Sequence, residues 1–152
     1  MTFFLSCEEK DCTQNLNNPA GIGFYTHVNS SETDTVLSLL SVYGESKRDS
    51  FLYDSVANVS SLTVPLDPGK DFSRFIFEYD SISDTLQINY KRELTFISHA
   101  CGFTTDYTVE GINSSNNRLD SVIVTNQIIT RNQNEEHVKI YFSPADPVDR
   151  QD

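Results

Sequence analysis

The sequence predicts an all-β domain, an antiparallel β-sandwich of the immunoglobulin-like kind with eight or nine strands, and three observations carry that expectation. The first is composition. The 152 residues include 11 Val, 10 Ile, 13 Thr, 10 Phe and 7 Tyr, against four Ala, one Met and no Trp; β-branched and aromatic side chains suit a half-buried pleated surface. The second is apolar alternation with a period of two, the sign of a strand buried on one face. The third is punctuation: turn residues recur every ~8–12 residues with no helical pattern between them, as in a sandwich. A closed barrel would show the same signs, because strand order is not visible in the pattern.

The first strand runs from Ile22 to Val28, with Ile22, Phe24, Thr26 and Val28 on one face and Gly23, Tyr25 and His27 on the other. Thr35 to Tyr43 is a largely apolar segment that fits a buried strand, or a short helix on periodicity alone. Phe51 to Tyr53 and Ser61 to Leu66 are shorter candidates, the second closed by the turn Asp67-Pro68-Gly69-Lys70, where Pro presets φ and Gly accepts a positive one. Ser73 to Tyr79 is the clearest strand, with Phe75, Phe77 and Tyr79 facing one way and Arg74, Ile76 and Glu78 the other. Leu86, Ile88 and Tyr90 alternate in the next. Leu94 to His99 and Phe103 to Ile112 continue the pattern around Cys101-Gly102, and Asn113 to Arg118 reads as a polar loop. Ser121 to Thr130 and Val138 to Phe142 complete the set. The domain is therefore expected over residues 20–142, behind a lead of residues 1–19 and before a frayed acidic tail, 143–152.

Eleven basic against 22 acidic side chains give a net charge of −11 with no basic run. Phosphate contacts need clustered Lys and Arg, so nucleic acid is not an expected partner. A chain of this length buries ~70% of its unfolded surface and needs no metal merely to fold. No apolar run reaches the ~18 residues of a membrane-spanning helix.

The amino terminus points to covalent attachment. Phe3, Phe4, Leu5, Ser6 and Cys7 form a short apolar run ending in a small residue and a cysteine, followed at once by Glu8, Glu9, Lys10 and Asp11. This looks like the lipobox of bacterial lipoproteins, in which a signal peptidase cuts before a cysteine that carries the lipid. Such an apolar segment enters the membrane, the small residue fits the protease, and the polar stretch beyond is a tether. The run lacks a basic leader and is shorter than the ~7–15 residues of a signal peptide, so Met1 is expected to lie inside a longer one. Three cysteines are an awkward number in an oxidising compartment unless one is otherwise used; lipidation of Cys7 would use it. Cys12 and Cys101 are then either a disulfide closing a long loop, worth ~3–4 kcal/mol in the chain-entropy model, or two thiols, Cys101 being a small buried hydrophobe.

A wider pattern joins Cys7 and Asp11-Cys12 to Ile22–Tyr25, Val64-Pro65-Leu66-Asp67, Phe75–Phe77, Leu86–Tyr90 and Phe96-Ile97-Ser98-His99-Ala100-Cys101-Gly102-Phe103. It resembles a family of small lipoproteins from Bacteroidetes that has no assigned function, over nearly the whole chain from Cys7 to about Phe142. The resemblance implies a β-rich protein lipid-anchored to the membrane, in the periplasm or at the cell surface, and it implies no activity. Five tripeptides of Asp, then Ser or Thr, then an aliphatic residue (at Thr35, Ser55, Ser81, Thr85 and Ser121) are similar to the O-glycosylation signal of exported proteins in that phylum. Turns that open onto strands generate the same tripeptide unaided, so one or two of the five are expected to be modified.

Chemistry is sparse. His27, His99 and His137 share neither the i, i+4 spacing of a helical zinc site nor a Cys-x-x-Cys partner, and no carboxylate run has calcium-loop spacing. No metal and no cofactor are expected. His99 and Cys101 share a strand face if the strand is regular, with Asp106 near in sequence, and a Cys–His nucleophile is the sharpest enzymatic idea; a surface histidine beside a structural cysteine is the plainer reading. No catalytic residue is assigned and no turnover is expected. Two functions survive: an envelope lipoprotein serving as an interaction or assembly module with an unknown envelope protein, or a carbohydrate-binding accessory presenting Tyr43, Phe51, Tyr53 and Tyr107 to a glycan.

Overall fold

A computed structural model of the chain describes residues 12, 18–28, 31–34, 37–45, 51–79, 81–131 and 135–142. Among them there are eleven strands and no helix: β1 (Ala20–Val28), β2 (Ser31–Asp34), β3 (Leu37–Gly44), β4 (Phe51–Val59), β5 (Ser61–Val64), β6 (Phe72–Tyr79), β7 (Ile82–Ser98), β8 (Gly102–Ser114), β9 (Leu119–Val124), β10 (Ile128–Ile129) and β11 (Val138–Phe142). They form two sheets. One has the order β2-β1-β11-β9, with β5 also paired to β1; the other has the order β10-β8-β7-β6-β3-β4. The protein is a β-sandwich.

The apolar rows of the central strands turn inward. Phe75 and Phe77 of β6, Leu86, Ile88 and Tyr90 of β7 and Val109 of β8 are buried together with Ile22 and Phe24 of β1 and Val138, Ile140 and Phe142 of β11, in one core shared by both sheets. Phe142 meets the edge of Phe24 at 5.5 Å and the Tyr79 ring of the other sheet at 5.8 Å between centroids. The faces read from alternation in β6 and β7 are the buried ones.

All pairings are antiparallel except β1 with β11, which run parallel with Ile22 opposite Val138 and Tyr25 opposite Tyr141. At the head of that pair, the Gly21 N–H donates to Nδ1 of buried His137 at 2.9 Å and the His137 N–H donates to the Gly21 carbonyl at 2.8 Å. A Cβ at position 21 would collide with the Glu135 carbonyl oxygen, so only glycine lets the two backbones come this close.

Four elements differ from the expectation. The segment Ser31–Asp34 forms a strand, β2, against β1, although it carries no apolar signal. The brief strand at Phe51 extends to Val59 as an edge strand, with Ser55 and Asn58 at positive φ and irregular pairing to β3. Leu86–Tyr90 and Leu94–Ser98 belong to one strand of 17 residues, His99 falling in the turn beyond it: the charged run Lys91–Glu93 lies in extended, exposed backbone and does not turn, and the irregularities sit at Asn89/Tyr90 and Phe96/Ser98. Finally, Ser121–Thr130 is two strands in different sheets, β9 against β11 and β10 against β8. Val122 and Val124 of β9 and Ile129 of β10 reach the same core from the two different sheets.

Candidate functional site

The β7–β8 hairpin is longer than the sandwich it belongs to. Strand β7 has 17 residues and β8 has 13, whereas β6, the neighbour of β7 on its other edge, has 8. Pairing between β6 and β7 ends at Phe72 opposite Asn89. Beyond that level β8 still pairs with β10 at Thr108 and Tyr107, and among the described residues the two strands continue alone from Glu93 opposite Asp106 as far as Ser98 opposite Gly102.

The core-facing row of the hairpin does not stop where the core stops. On β7, buried Leu86, Ile88 and Tyr90 are followed at the same spacing by Arg92, Leu94 and Phe96, with Leu94 70% and Phe96 52% exposed. On β8, buried Val109 and Tyr107 are followed toward the tip by half-buried Thr105 and by Phe103, 61% exposed. Phe96 and Phe103 stand directly across from each other with ring centroids 5.4 Å apart. Three large apolar side chains thus lie on one face, and among the described residues no layer opposes them. An open groove of about 800 Å³ runs beneath, lined by Pro68, Phe72, Tyr90, Arg92 and Leu94 among others.

The base of the overhang is braced by two tyrosines packed edge to face, Tyr90 and Tyr107, with centroids 4.9 Å apart. The Tyr90 hydroxyl donates to the Asp67 carbonyl at 2.7 Å and bonds the Ser73 hydroxyl at 2.8 Å; the Tyr107 hydroxyl donates to the Leu66 carbonyl at 3.3 Å. Burial raises both phenols above their ordinary range, Tyr107 to about 12 with the neighbouring Tyr90 adding to the effect. They serve as neutral donors that hold the Asp67–Lys70 turn against the hairpin.

At the tip, Cys101 is disulfide-bonded to Cys12, with Cα atoms 4.7 Å apart. The turn is set locally: the Cys101 N–H donates to the Ser98 hydroxyl at 3.0 Å, and Gly102 takes a φ of +71° that favours glycine. A second attachment lies at Asn18, whose side-chain amide donates to the Thr105 carbonyl at 2.5 Å and to Asp106 Oδ1 at 3.0 Å. Asp106 Oδ2 also accepts from the Thr95 hydroxyl at 2.6 Å.

The remaining sites anticipated from sequence disperse. The sulfur of Cys101 is in the disulfide and Asp106 is occupied by Asn18 and Thr95, so the Cys–His idea has no thiolate; His99 is exposed, its ring against Phe96 at 5.6 Å. His137 is a core residue whose basicity burial lowers, opposed in part by Glu135, with Nε2 3.7 Å from that carboxylate. His27 lies in β1. Among the described residues no group of three or more His, Cys, Asp and Glu side chains is placed to hold a metal ion. Tyr43 and Tyr107 are buried, and Phe51 meets Tyr43 edge-on at 82°, so the four aromatics do not make a common sugar platform. Cys7 and Thr35 lie outside the described residues. Ser55, Ser81 and Ser121 are exposed, and Thr85 is half-buried within β7.

Sequence reasoning missed Asp84. This carboxylate is 3% exposed, accepting from the Ser115 hydroxyl (2.6 Å) and from the backbone N–H groups of Asn117, Arg118 and Leu119 (2.7, 2.8 and 3.1 Å). It organises the loop between β8 and β9. It also missed the overhang, because Leu94, Phe96 and Phe103 alternate as a core row does.

A protein-family model matches residues 39–142, from β3 to the end of β11 and including the whole hairpin. The chain belongs to the family of unknown function DUF6452. No curated protein and no solved structure matches it. The matched region of this DUF6452 member contains Cys101 but neither Cys12 nor Cys7.

Proposed function

We propose that this DUF6452 protein is an envelope lipoprotein, held on a membrane by acyl chains on Cys7 and facing the periplasm or the cell surface, whose sandwich is a non-enzymatic interaction or assembly module. The observation that carries the proposal is the use of the three cysteines. Cys12 and Cys101 are bonded to each other, a pairing that persists in oxidising compartments and is rare in reducing ones. The remaining sulfur is Cys7, which directly follows Phe3-Phe4-Leu5-Ser6, the place a lipid-carrying cysteine would take. The pairing also withdraws Cys101 from nucleophilic chemistry. The partner would be another envelope protein or a glycan, and the exposed Ser55, Ser81 and Ser121 are the positions at which O-linked sugar would be found.

The test is intact-mass and peptide mass spectrometry on protein isolated from the membranes of its own cells. The expected mature species begins at Cys7 with an added diacyl or triacyl mass, and Cys7→Ser moves the protein to the aqueous phase on detergent partition. A mature protein that retains Met1 and carries unmodified Cys7 overturns the proposal.

A further inference from the structure

We propose that the overhanging end of the β7–β8 hairpin is a second membrane contact, with Leu94, Phe96 and Phe103 seated at the level of the lipid headgroups of the bilayer that holds Cys7. This inference rests on the lipoprotein reading for its anchor and adds to it a site, an orientation and a ligand, a lipid surface.

Three features lead there. The polarity of the overhang is inverted. A hairpin projecting into water should be polar on both faces, and here one face carries Glu93, Thr95 and Asp106 while the other, which no second sheet covers, carries Leu94, Phe96 and Phe103. Exposed apolar side chains gathered on one face mark a contact surface, whereas scattered ones need no explanation.

The disulfide then fixes where that face is in relation to the anchor. Cys12 is bonded to Cys101 in the turn of this hairpin, and Cys7 precedes Cys12 by five residues. Five residues span at most ~17 Å even when fully extended. With the 4.7 Å Cα–Cα step of the disulfide added, an acyl group on Cys7 therefore keeps the tip within ~22 Å of the bilayer, at high effective concentration, and the Phe96–Phe103 pair lies next to the Ser98–Gly102 pair that closes the turn. Asn18, bonded beside Thr104 and Thr105, ties the chain to the same end of the hairpin.

The charge near the patch is mixed, with Lys91 and Arg92 beside Glu93 and Glu110. An apolar contact with zwitterionic lipid follows, insensitive to salt, and amphipathic surfaces of this kind sink ~5–10 Å into the headgroup and acyl boundary.

The absence of Trp from the sequence supplies a clean probe. Phe103→Trp is made in the full chain, purified from membranes in its mature form, reconstituted in phosphatidylcholine vesicles and titrated with lipids brominated at defined depths. Leu39→Trp is the control; Leu39 is 56% exposed in β3, beyond the Ser41–Glu78 pair and so toward the β6–β7 turn, at the other end of the sheet. Intact mass reports lipid on Cys7 and the disulfide in each sample. The expected result is blue-shifted emission from the Phe103→Trp protein, quenched by lipids brominated near the carbonyl end of the chain, with the Leu39→Trp control unaffected and no change on adding salt. A lipidated Phe103→Trp protein whose indole is not quenched overturns this inference and leaves the lipoprotein reading standing. Unmodified Cys7 overturns the lipoprotein reading; vesicle quenching of the hairpin indole in that sample still supports the lipid contact, and its absence overturns both. Blue-shifted emission without vesicles also overturns the inference. Dependence on protein concentration then identifies a second copy as the cover, and independence of it identifies a segment of the same chain.

Discussion

Replacing Asp84 with Ala should destabilise the protein by about 3 kcal/mol, and the structure says why the figure is neither one nor six. Four donors converge on the carboxylate. Two of them, the Ser115 hydroxyl and the N–H of exposed Asn117, can turn to water after the substitution. The backbone N–H groups of Arg118 and Leu119 are less able to do so, since Leu119 is 1% exposed, and each buried donor left without an acceptor costs ~1–3 kcal/mol. Two such losses give ~2–6 kcal/mol, reduced because the desolvation of a buried carboxylate disappears with it. Asp84→Asn keeps one acceptor oxygen but turns an NH₂ toward N–H donors, and should cost about 2 kcal/mol. Urea unfolding followed by far-UV circular dichroism, with the disulfide intact, measures both. For a domain of this size 3 kcal/mol also lowers Tm by ~6–12 °C. A loss below ~1 kcal/mol for Asp84→Ala, with an unchanged denaturant slope, would show that water satisfies the loop and refute the reasoning.

Phe77→Ala should cost ~3–5 kcal/mol in the same assay, because this fully enclosed ring leaves a cavity that collapses only in part; a loss under ~1 kcal/mol would mean the core lies elsewhere. Burial holds the His137 imidazole below its ordinary basicity, so the unfolded chain takes up a proton first as pH falls. Stability should be complete above pH ~6.5 and decline below it by up to ~1.4 kcal/mol per pH unit until the folded imidazole also protonates. His137→Gln should flatten that slope, and urea midpoints from pH 7.5 to 4.5 check it. With the Tyr107 phenol pushed up to about 12, its contribution is whole below the ordinary tyrosine value of ~10 and is lost as pH rises from there toward the folded value. Ultraviolet titration should find at least one tyrosine that ionises only in that upper range, and Tyr107→Phe should remove it. Cys12→Ser should lower stability by ~4.6 kcal/mol, the chain-entropy figure for a loop of 89 residues; equal midpoints with and without reductant would contradict it.

The fold was legible where one face of a strand meets the core. Phe75 and Phe77, and Leu86, Ile88 and Tyr90, announce their buried faces by period alone. What period cannot say is where the opposing layer ends. Leu94 and Phe96 continue the row of Leu86 without a break, and only the depth of the other sheet makes one pair core and the other surface. The break read between Tyr90 and Leu94 closed up: extended backbone with exposed side chains suits Lys91-Arg92-Glu93, and the two segments are one strand. Asp84 was visible only as the first residue of a turn-like tripeptide, since its donors lie more than 30 positions away. Tyr43 and Tyr107 looked available to a ligand because an aromatic in a strand carries no mark of which side it takes.

The parallel seam between the first and last strands sets the order in which the molecule can be completed. His137 meets Gly21 across 116 positions of chain, and β11 lies between β1 and β9 in its sheet. Until Val138–Phe142 has emerged, β9 has no neighbour in that sheet and β1 has an unfilled edge, so one face of the core stays open through synthesis of nearly the whole chain. Contacts this distant in sequence form slowly. The sheet of β3, β4, β6, β7, β8 and β10 can assemble earlier, but the core between the two sheets stays unclosed until β11 arrives, and the last few residues of the domain act as its latch.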